Sequence, residues 1–409
     1  MKKQVQLFIG SAHTAFNLTN IKSILLVLAF FMIYSQSHAQ FSVVTSGTTA
    51  RLDAIYFFDA SNGLCSGGFT KTLVTTDGGN TWTKGTAQGV RDFSFVSSTV
   101  GYGASISGQS LVKTTDAAAS FTALTPLSSN SQWSVAATSA TTAYFGGTNA
   151  EIWKTTNSGA SFTSLPTGIN TNFVISDIVF TSATNGCFVA SNGTIKQTTN
   201  SGATWTTVYT AGSGKGLTEM YFVDQTIGYA VGTNGIVVKT IDGGANWTLQ
   251  TTGSTGLLQG VHFIDANNGV VVGIPGVILH TTNGGTTWTA KTSGTTEELY
   301  DVRMLSTDKV IVTGNNGLIL KTANLVTAVE ESINAQTLFF PNPVKDQLKI
   351  TTQPIIYSVS IIDLKGNTLS TVEHINSNEY LLNCSMLKAG EYMVTITTAS
   401  GQLSKKIIK

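Results

Sequence analysis

Charged residues are scarce in this sequence of 409 residues, where Asp, Glu, Lys and Arg together make up 11%. Arginine occurs three times, at Arg51, Arg91 and Arg303, and no run of basic residues exists. Nucleic acid and anionic membranes are recognised by clustered cations, so the sequence argues against either as the main partner. Glycine (41 residues) and threonine are abundant, whereas helix formers are few. This composition is typical of many short strands joined by tight turns.

Cysteine and histidine are also sparse. Cys65 and Cys187 lie in apolar, strand-like segments, and with Cys384 they complete the cysteines. This arrangement predicts buried free thiols and no disulfide framework. Neither a GxSxG nor an HExxH segment is present, and the histidines after residue 39 are His262, His280 and His374. We therefore predict no catalytic residue, no metal ligand and no cofactor.

Residues 1–39 have the pattern of a secretory signal peptide. Lys2 and Lys3 give a basic start, an eleven-residue apolar run extends from Ile24 to Tyr34, and small residues precede a cleavage site after Ala39. The run is too short to span a bilayer comfortably, and no later segment approaches the ~18 apolar residues of a membrane helix. We expect an exported protein without a transmembrane segment. Loss of three lysines leaves 20 basic against 22 acidic residues, a formal charge of −2.

One eight-residue segment recurs through the chain. The copies are TTDGGNTW, TTDAAASF, TTNSGASF, TTNSGATW, TIDGGANW and TTNGGTTW, which begin at residues 75, 114, 155, 198, 240 and 281. The spacing is close to 41 residues, and three strand-like runs precede each copy. Repeats of this length with four strands each indicate the blades of a β-propeller.

The number of blades is predicted from the first strand of each unit, which occurs seven times, rather than from the six copies of the recurring segment. That strand carries an apolar residue in the same register seven times, at Ile55, Phe93, Val135, Ile178, Met220, Val261 and Val302. The seventh unit stops at Asn324 without its last strand, whereas Phe41 to Gly47 resembles a last strand without a blade. The N-terminal strand should complete the seventh blade and close the ring, which removes both sheet edges. We predict a seven-bladed propeller over residues 41–325.

The recurring segment resembles the Asp-box, or bacterial neuraminidase repeat, S/T-x-D-x-G-x-T-W. The whole unit is similar to the propellers of the photosystem II assembly and stability factor-like family. Taken by themselves, the residues of the box predict a turn between the third and fourth strands. The Asp or Asn side chain would bond backbone N–H groups, glycines would adopt positive φ, and the aromatic residue would lie beneath the turn. Three of the six copies have Asn, which cannot act as a carboxylate acid or base, so we interpret the box as structural.

A candidate site lies on the first strands. Just before the apolar register position, the units carry Ala54, Asp92, Ser134, Asp177, Glu219, Gly260 and Asp301. The arginines lie on or beside the same strands, near Trp133, Tyr221, His262, Glu297, Glu298 and Tyr300. We predict that six residues take part in ligand binding at the central channel: Asp92, Asp177, Glu219, Asp301, Arg91 and Arg303. The other reading is that these carboxylates and arginines pair with each other and with strand-end backbone.

A glycoside hydrolase is the alternative function, because the Asp-box also occurs in sialidases and some glucan hydrolases. Such enzymes need two carboxyl groups roughly 5 to 9.5 Å apart, and the four predicted carboxylates include possible pairs. The Arg-Ile-Pro segment of sialidases is absent, since Leu52 and Asp53 follow Arg51. This departure argues against a sialidase and leaves a polysaccharide-acting hydrolase as the alternative.

The last seventy residues form a different module after a linker at 326–336. Residues 337–409 resemble the type A C-terminal sorting domain of the type IX secretion system of Bacteroidetes-type bacteria. The matching residues are Pro341, Asn342, Pro343, Ile361, Asp363, Gly366, Leu387, Gly390, Tyr392, Lys405, Lys406 and Lys409. The resemblance implies Sec export followed by passage through the outer membrane on the type IX machinery, with the cargo then released or attached to the cell surface.

The sequence therefore predicts an all-β protein that consists of a seven-bladed propeller and a small Ig-like β-sandwich. We expect the propeller to be a secreted or surface-attached binding or assembly module for an unknown surface glycan or protein. A surface spacer without a small-molecule pocket fits the sequence equally well.

Overall fold

The computed structural model describes residues 41–67, 71–104, 111–124, 131–322, 325, 337–363, 368–398 and 401–409. The predicted signal peptide and linker lie outside these residues. The described chain is all-β, with single 3-10 turns at Thr148–Ala150, Thr233–Gly235 and Asn315–Gly317. No helix in these ranges is long and apolar enough to cross a membrane.

The first part of the chain is a seven-bladed propeller, as predicted. Each blade is a four-stranded antiparallel meander, and we call its strands inner, second, third and outer. In that order, blade 1 consists of Ala54–Phe57, Gly63–Ser66, Lys71–Thr75 and Thr83–Gln88, and blade 2 of Asp92–Phe95, Gly101–Ala104, Leu111–Thr114 and Thr122–Ala123. Blade 3 consists of Gln132–Ala137, Ala143–Gly147, Ile152–Thr155 and Thr163–Leu165, and blade 4 of Ile175–Phe180, Gly186–Ala190, Thr194–Thr198 and Thr206–Thr210. Blade 5 consists of Leu217–Phe222, Gly228–Gly232, Val237–Thr240 and Thr248–Gln250, and blade 6 of Leu257–Phe263, Gly269–Ile274, Val277–Thr281 and Thr289–Ala290. Blade 7 consists of Leu299–Met304, Val310–Gly314, Ile319–Thr322 and Ser42–Val44.

The N-terminal strand closes the ring, as the repeat pattern predicts. Ser42–Val44 pairs with the third strand of blade 7, with Val43 opposite Leu320. Phe41 is buried in the same core cluster as Val302 and Leu320. Closure therefore joins the two ends of the propeller through both backbone pairing and apolar packing.

The second strands form the core of the ring. In Gly186–Ala190, Gly228–Gly232 and Val310–Gly314 every residue is buried. A blade packs against a neighbouring blade on each face, so its central strands are apolar on both sides and show no alternation. Stacked rings fill two of the interfaces, Tyr144 on Phe180 at 3.9 Å and Tyr229 on Phe263 at 3.7 Å between ring centroids.

Each Asp-box forms the predicted turn between the third and outer strands. In blade 1, Asp77 Oδ1 accepts the N–H groups of Asn80 and Thr81 at 2.9 and 3.0 Å, and Thr75 Oγ1 donates to the same oxygen at 2.8 Å. The aromatic residue that ends the box is largely buried in the two best-packed copies, Trp82 and Trp247. The structural interpretation of the box agrees with these contacts.

The second box forms the same turn without glycine. Ala117 and Ala118 have φ of 58° and 63°, where blade 1 has Gly78 and Gly79 at 69° and 76°. L-residues other than glycine avoid this left-handed region, which costs them roughly 1–2 kcal/mol each. Asp116 nevertheless accepts the Ser120 N–H at 2.9 Å, so the bonds of the box hold the alanines in this conformation.

In several blades a lysine on the third strand bonds to the Asp-box of the following blade. Lys154 Nζ donates to the carbonyl oxygen of Ser201 at 3.2 Å, and Lys239 Nζ donates to that of Gly284 at 2.8 Å. Lys321 makes the corresponding bond from blade 7 to Gly78 of blade 1. The box is therefore part of the contact between blades as well as a local turn.

The C-terminal module is a curled sheet with strands Leu338–Phe340, Gln347–Asp363, Thr368–Val372, Ser377–Asn383, Glu391–Thr398 and Gly401–Ile408. The first half of the long second strand pairs with the first and fourth strands, and its second half pairs with the third and fifth. Ile350 and Ile361, from the two halves, lie in one core cluster. This arrangement is consistent with the predicted β-sandwich.

The residues that resemble those of a sorting domain have structural counterparts in this module. Asn342, between the two prolines, accepts the Ile408 N–H at 2.9 Å and donates to the Lys406 carbonyl at 3.2 Å. Gly390 and Lys409 exchange two backbone hydrogen bonds. These contacts tie the opening of the domain and its LxxGxY segment to the last strand.

All three cysteines are buried and unpaired, as predicted for Cys65 and Cys187. Burial raises the pKa of Cys187 to about 12. These thiols behave as small apolar core residues.

Candidate functional site

The seven inner strands surround a central cavity of about 410 Å³. All the predicted ligand-binding residues line it, namely Asp92, Asp177, Glu219, Asp301, Arg91 and Arg303. Trp133, Tyr221, His262 and Tyr300 line it as well. The inner strands run in the same direction along the cavity, so we call the end where they begin the upper end and the end where they finish the lower end. That the six residues bind a ligand stays a prediction.

β-bulges at the start of the inner strands shape the upper end. In blades 3 to 7 the register of the inner strand shifts by one residue, which leaves an extra residue just before the carboxylate position. The extra residues are Trp133, Ser176, Thr218, Gln259 and Tyr300, and all of them line the cavity. Bulges re-aim side chains in this way next to binding sites. A repeat alignment does not show them, because the bulge inserts no residue into the 41-residue period.

Each predicted carboxylate links its blade to the next one around the ring. The acceptor is a side-chain oxygen, and the donor is the backbone N–H of the apolar register residue in the neighbouring inner strand. The pairs are Asp92 with Val135 at 2.7 Å, Asp177 with Met220 at 2.8 Å, Glu219 with Val261 at 3.4 Å and Asp301 with Ile55 at 2.8 Å. The second oxygens of Asp177 and Asp301 accept the N–H of the residue that follows each, at 2.7 Å. The four carboxylates thus satisfy backbone groups at the exposed edges of the inner strands.

Burial dominates the electrostatics of these carboxylates. It raises the pKa of Asp177 to about 7 and that of Asp301 to about 6. The pKa values of Asp92 and Glu219 lie well above the usual range, because the neighbouring carboxylates add to the effect of burial. Protein encloses each group, although solvent in the cavity reaches part of each residue.

The arginines at the upper end stack on aromatic rings. The guanidinium carbon of Arg91 lies 3.6 Å from the ring centroid of Trp133, and that of Arg51 lies 3.9 Å from the ring centroid of Tyr300. Arg51 also pairs with Asp53 at 2.5 Å. Burial lowers the pKa of Arg91 to about 10, which leaves it a cation at neutral pH.

The charged cluster follows only in part the second interpretation, in which carboxylates and arginines pair with each other and with strand-end backbone. The carboxylates do bond strand-end backbone, as the second reading holds. Their pairing with arginine is not seen, because the ion pair that the described propeller residues form is Arg51 with Asp53. Arg91 and Arg303 thus keep guanidinium groups that no carboxylate of the described residues binds directly.

Arg303 and three other polar side chains line the lower end. The guanidinium carbon of Arg303 lies 5.2 Å from the ring centroid of Tyr56, and the rings of Tyr221 and His262 are 4.6 Å apart. These four residues occupy the same strand position, two after the carboxylate position. Sequence reasoning did not select Tyr56, although this shared position was available as a signal.

Glu297 and Glu298, which lie close to the candidate site in sequence, do not line the cavity. Glu298 accepts the Tyr300 hydroxyl, and Glu297 accepts the Asn316 side chain at 3.1 Å. Within the described ranges, no three His, Cys, Asp or Glu side chains converge as metal ligands.

Two known protein families match this chain, one in the propeller and one in the C-terminal module. Residues 207–336 match the photosynthesis system II assembly factor YCF48, and residues 338–409 match the secretion system C-terminal sorting domain. The predicted resemblance to both families is confirmed. The sorting domain supports type IX export, and it indicates secretion or display at the cell surface. No curated protein matches the chain.

Solved structures resemble the propeller at low sequence identity. YCF48 bound to a D1 peptide is 19% identical over 70% of this chain and 96% of its own, with a TM-score of 0.58. YCF48 from Cyanidioschyzon merolae is 16% identical over 69% of this chain and 98% of its own, with a TM-score of 0.56. A GH74 enzyme from Niastella koreensis is 16% identical over 90% of this chain and 67% of its own, with a TM-score of 0.57. At these identities the likeness shows the fold alone.

Proposed function

We propose that the propeller is a non-catalytic binding module that holds its ligand in the central cavity. The N-terminal signal peptide would direct Sec export, and the C-terminal domain would then direct the chain through the type IX machinery. The propeller would be the cargo, released or attached at the cell surface.

The observation that carries this proposal is the bonding of the inner-strand carboxylates. Asp177 and Asp301 each use both oxygens to accept backbone N–H groups of inner strands. A catalytic carboxyl group needs an oxygen directed at the scissile bond or at a water molecule. Asp177 and Asp301 therefore serve the frame instead.

The arginine and aromatic residues are better suited to a ligand. Arg91 on Trp133 presents a flat, partly desolvated cation at the upper end of the cavity, where Arg51 is already paired with Asp53. Stacked arginines of this kind recognise carboxylate and other planar anionic groups. The similar fold of YCF48, which was solved with a bound peptide, also favours a binding role.

Hydrolysis of polysaccharides is the second candidate. The pKa of Asp177, raised to about 7, suits a proton donor at neutral pH, and the GH74 enzymes share the propeller fold. The two candidates differ in whether bound polysaccharide is cleaved.

The mature chain from Gln40 should be incubated with polysaccharides and cell-envelope extracts, and retention should be measured together with release of reducing ends. We expect retention without release, and we expect Arg91→Gln to weaken retention by about tenfold, since hydrogen bonds to charged groups contribute ~1.5–3 kcal/mol. Lys84→Gln, on the exposed outer strand of blade 1, is the matched control.

Release of reducing ends that disappears in Asp177→Asn or Glu219→Gln, but persists in the exposed turn variant Asp265→Asn, would establish the hydrolase instead. Retention that is equal in Arg91→Gln and Lys84→Gln would argue against binding at the upper end. Thermal melting of each variant separates loss of binding from loss of folding.

A further inference from the structure

Four side chains at the lower end of the cavity form what we call the donor cluster: Tyr56, Tyr221, His262 and Arg303. They come from blades 1, 5, 6 and 7, which ring closure brings together, and all four line the cavity. Tyr56, Tyr221 and Arg303 are half-buried, whereas His262 is 5% exposed.

His262 is held as a neutral hydrogen-bond donor. The backbone N–H of Met304 donates to its Nδ1 at 3.3 Å, so the ring proton of the neutral form resides on Nε2. Burial and the nearby Arg303 keep the pKa of His262 well below its usual range. The tilted ring of Tyr221, 4.6 Å away between ring centroids, further fixes the imidazole. No described residue accepts a hydrogen bond from Nε2–H, which leaves it for a group in the cavity that His262 lines.

Arg303 supplies the positive charge of the donor cluster. Asp301, two residues earlier on the same strand, is already bonded through its two oxygens to the backbone of Ile55 and Val302. In the described part of the chain Arg303 forms no ion pair, and its contact is with the ring of Tyr56. Its guanidinium donors are therefore available to a ligand.

The tyrosine hydroxyls complete the set. Neither Tyr56 nor Tyr221 forms a hydroxyl hydrogen bond to another described residue. Burial raises the pKa of Tyr221, so its hydroxyl keeps its proton and can donate. Two hydroxyls, one imidazole N–H and one guanidinium make a group rich in donors with one net positive charge. Such a group matches a single anionic function with several acceptor oxygens.

We propose that the donor cluster binds the carboxylate of an acidic sugar, a uronic acid unit of a polysaccharide, held in the lower part of the cavity. This inference rests on the proposed binding function and specifies its ligand. Above the donor cluster the cavity is lined by Ser176 and Gln259, whose neutral polar groups suit the hydroxyls of a sugar. A volume of about 410 Å³ lies in the range of small-ligand pockets.

Calorimetric titration of the mature chain with glucuronate and galacturonate oligosaccharides tests the assignment. We expect binding of at least one of them, and at least tenfold weaker binding of the neutral glucose and galactose oligosaccharides, because an Arg–carboxylate contact accounts for about a tenfold change in affinity or more. Arg303→Gln should weaken uronate binding by about tenfold, Arg303→Lys should restore part of it, and Lys84→Gln should have no effect. Thermal melting confirms that the variants are folded.

Several results would overturn the inference. Equal binding of acidic and neutral oligosaccharides would remove the role of the carboxylate, and uronate binding that is unchanged in Arg303→Gln would place it elsewhere. A peptide with a free C-terminal carboxylate that binds when uronates do not would replace the sugar with a peptide. If uronates fail while the chain still retains envelope material, the proposed function stands without this ligand, whereas loss of all retention would remove both.

Discussion

In five of the six boxes the central residue can be Asp or Asn because its outer atom faces a hydroxyl group, which can reverse its hydrogen bond. In blade 1, Asp77 Oδ2 accepts the Thr81 hydroxyl at 2.6 Å, whereas in blade 3 Asn157 Nδ2 donates to the Ser161 hydroxyl at 2.8 Å. A hydroxyl both donates and accepts, so the same turn forms with either residue. A carboxylate is therefore dispensable at this position.

Ala117 provides a test of strain in the second box. We expect Ala117→Gly to stabilise the folded chain by about 1 kcal/mol, because glycine adopts its φ of 58° without the steric cost that alanine bears. Ala119→Gly in the same turn is the control, since Ala119 is not in the left-handed region and glycine there should destabilise slightly. Denaturant unfolding measures both. A decrease in stability for Ala117→Gly would contradict the strain.

Trp247 provides a test of packing beneath a box. It is 9% exposed and packs edge-on against Phe222, and its indole N–H donates to the Gly244 carbonyl at 3.1 Å. Trp247→Ala should lower the free energy of unfolding by about 3–5 kcal/mol through the loss of buried apolar contacts. Trp247→Phe should lower it less. A denaturation midpoint that is unchanged in Trp247→Ala would refute the burial.

The inner strand is the element on which frame and candidate site meet. Its carboxylate bonds the next blade, the preceding bulge residue lines the upper end, and the residue two positions later lines the lower end. One strand can serve both roles because the carboxylates satisfy the strand edges, which leaves the flanking residues free to face the cavity.

A pH dependence of stability follows from these buried carboxylates. Burial raises their pKa values, so above about pH 4 the folded state binds more protons than the unfolded state, and stability falls as the pH rises through the folded pKa values. His262 and His280, with lowered pKa values, have the opposite effect below about pH 6.5. We therefore expect the free energy of unfolding to fall by about 1 kcal/mol or more from about pH 6.5 to about pH 8.

Denaturant unfolding at several pH values checks this slope. Asp177→Asn cannot ionise and should make the slope shallower, whatever the effect on absolute stability of losing one of its two backbone bonds. Asp265→Asn, in an exposed turn, should leave the slope unchanged. Stability that rises over this pH interval would show that the inner carboxylates are not held in a protonated state.

Ring closure is a property of the whole propeller. Blade 7 takes its outer strand from the start of the propeller sequence and its other three strands from the end of the propeller sequence. Lys321 and Asp301 also bond from blade 7 to blade 1. Closure thus combines one strand pairing with side-chain contacts that span most of the propeller sequence.

Removal of residues 40–44 from the mature chain should open this closure. We expect a lower melting temperature and earlier proteolytic cleavage, because the third strand of blade 7 becomes an unpaired edge. Self-association by edge pairing should also increase, which size-exclusion chromatography detects. Val43→Thr is the matched control, since Val43 is 71% exposed. Equal melting of the shortened and intact chains would show that the strand is not required for closure.

The repeat length, the register of apolar residues and the incomplete seventh unit were sufficient to predict seven blades and their closure by the N-terminal strand. The box turn and the sorting domain were also readable, because turn residues and strand patterns record local backbone preferences. The partners of the candidate site residues were not. Asp92 bonds a backbone group 43 residues away and Asp301 one 246 residues away, and the bulges that direct Trp133 and Tyr300 leave no mark on the repeat. These contacts depend on how neighbouring blades meet around a closed ring, which no local pattern of residues encodes.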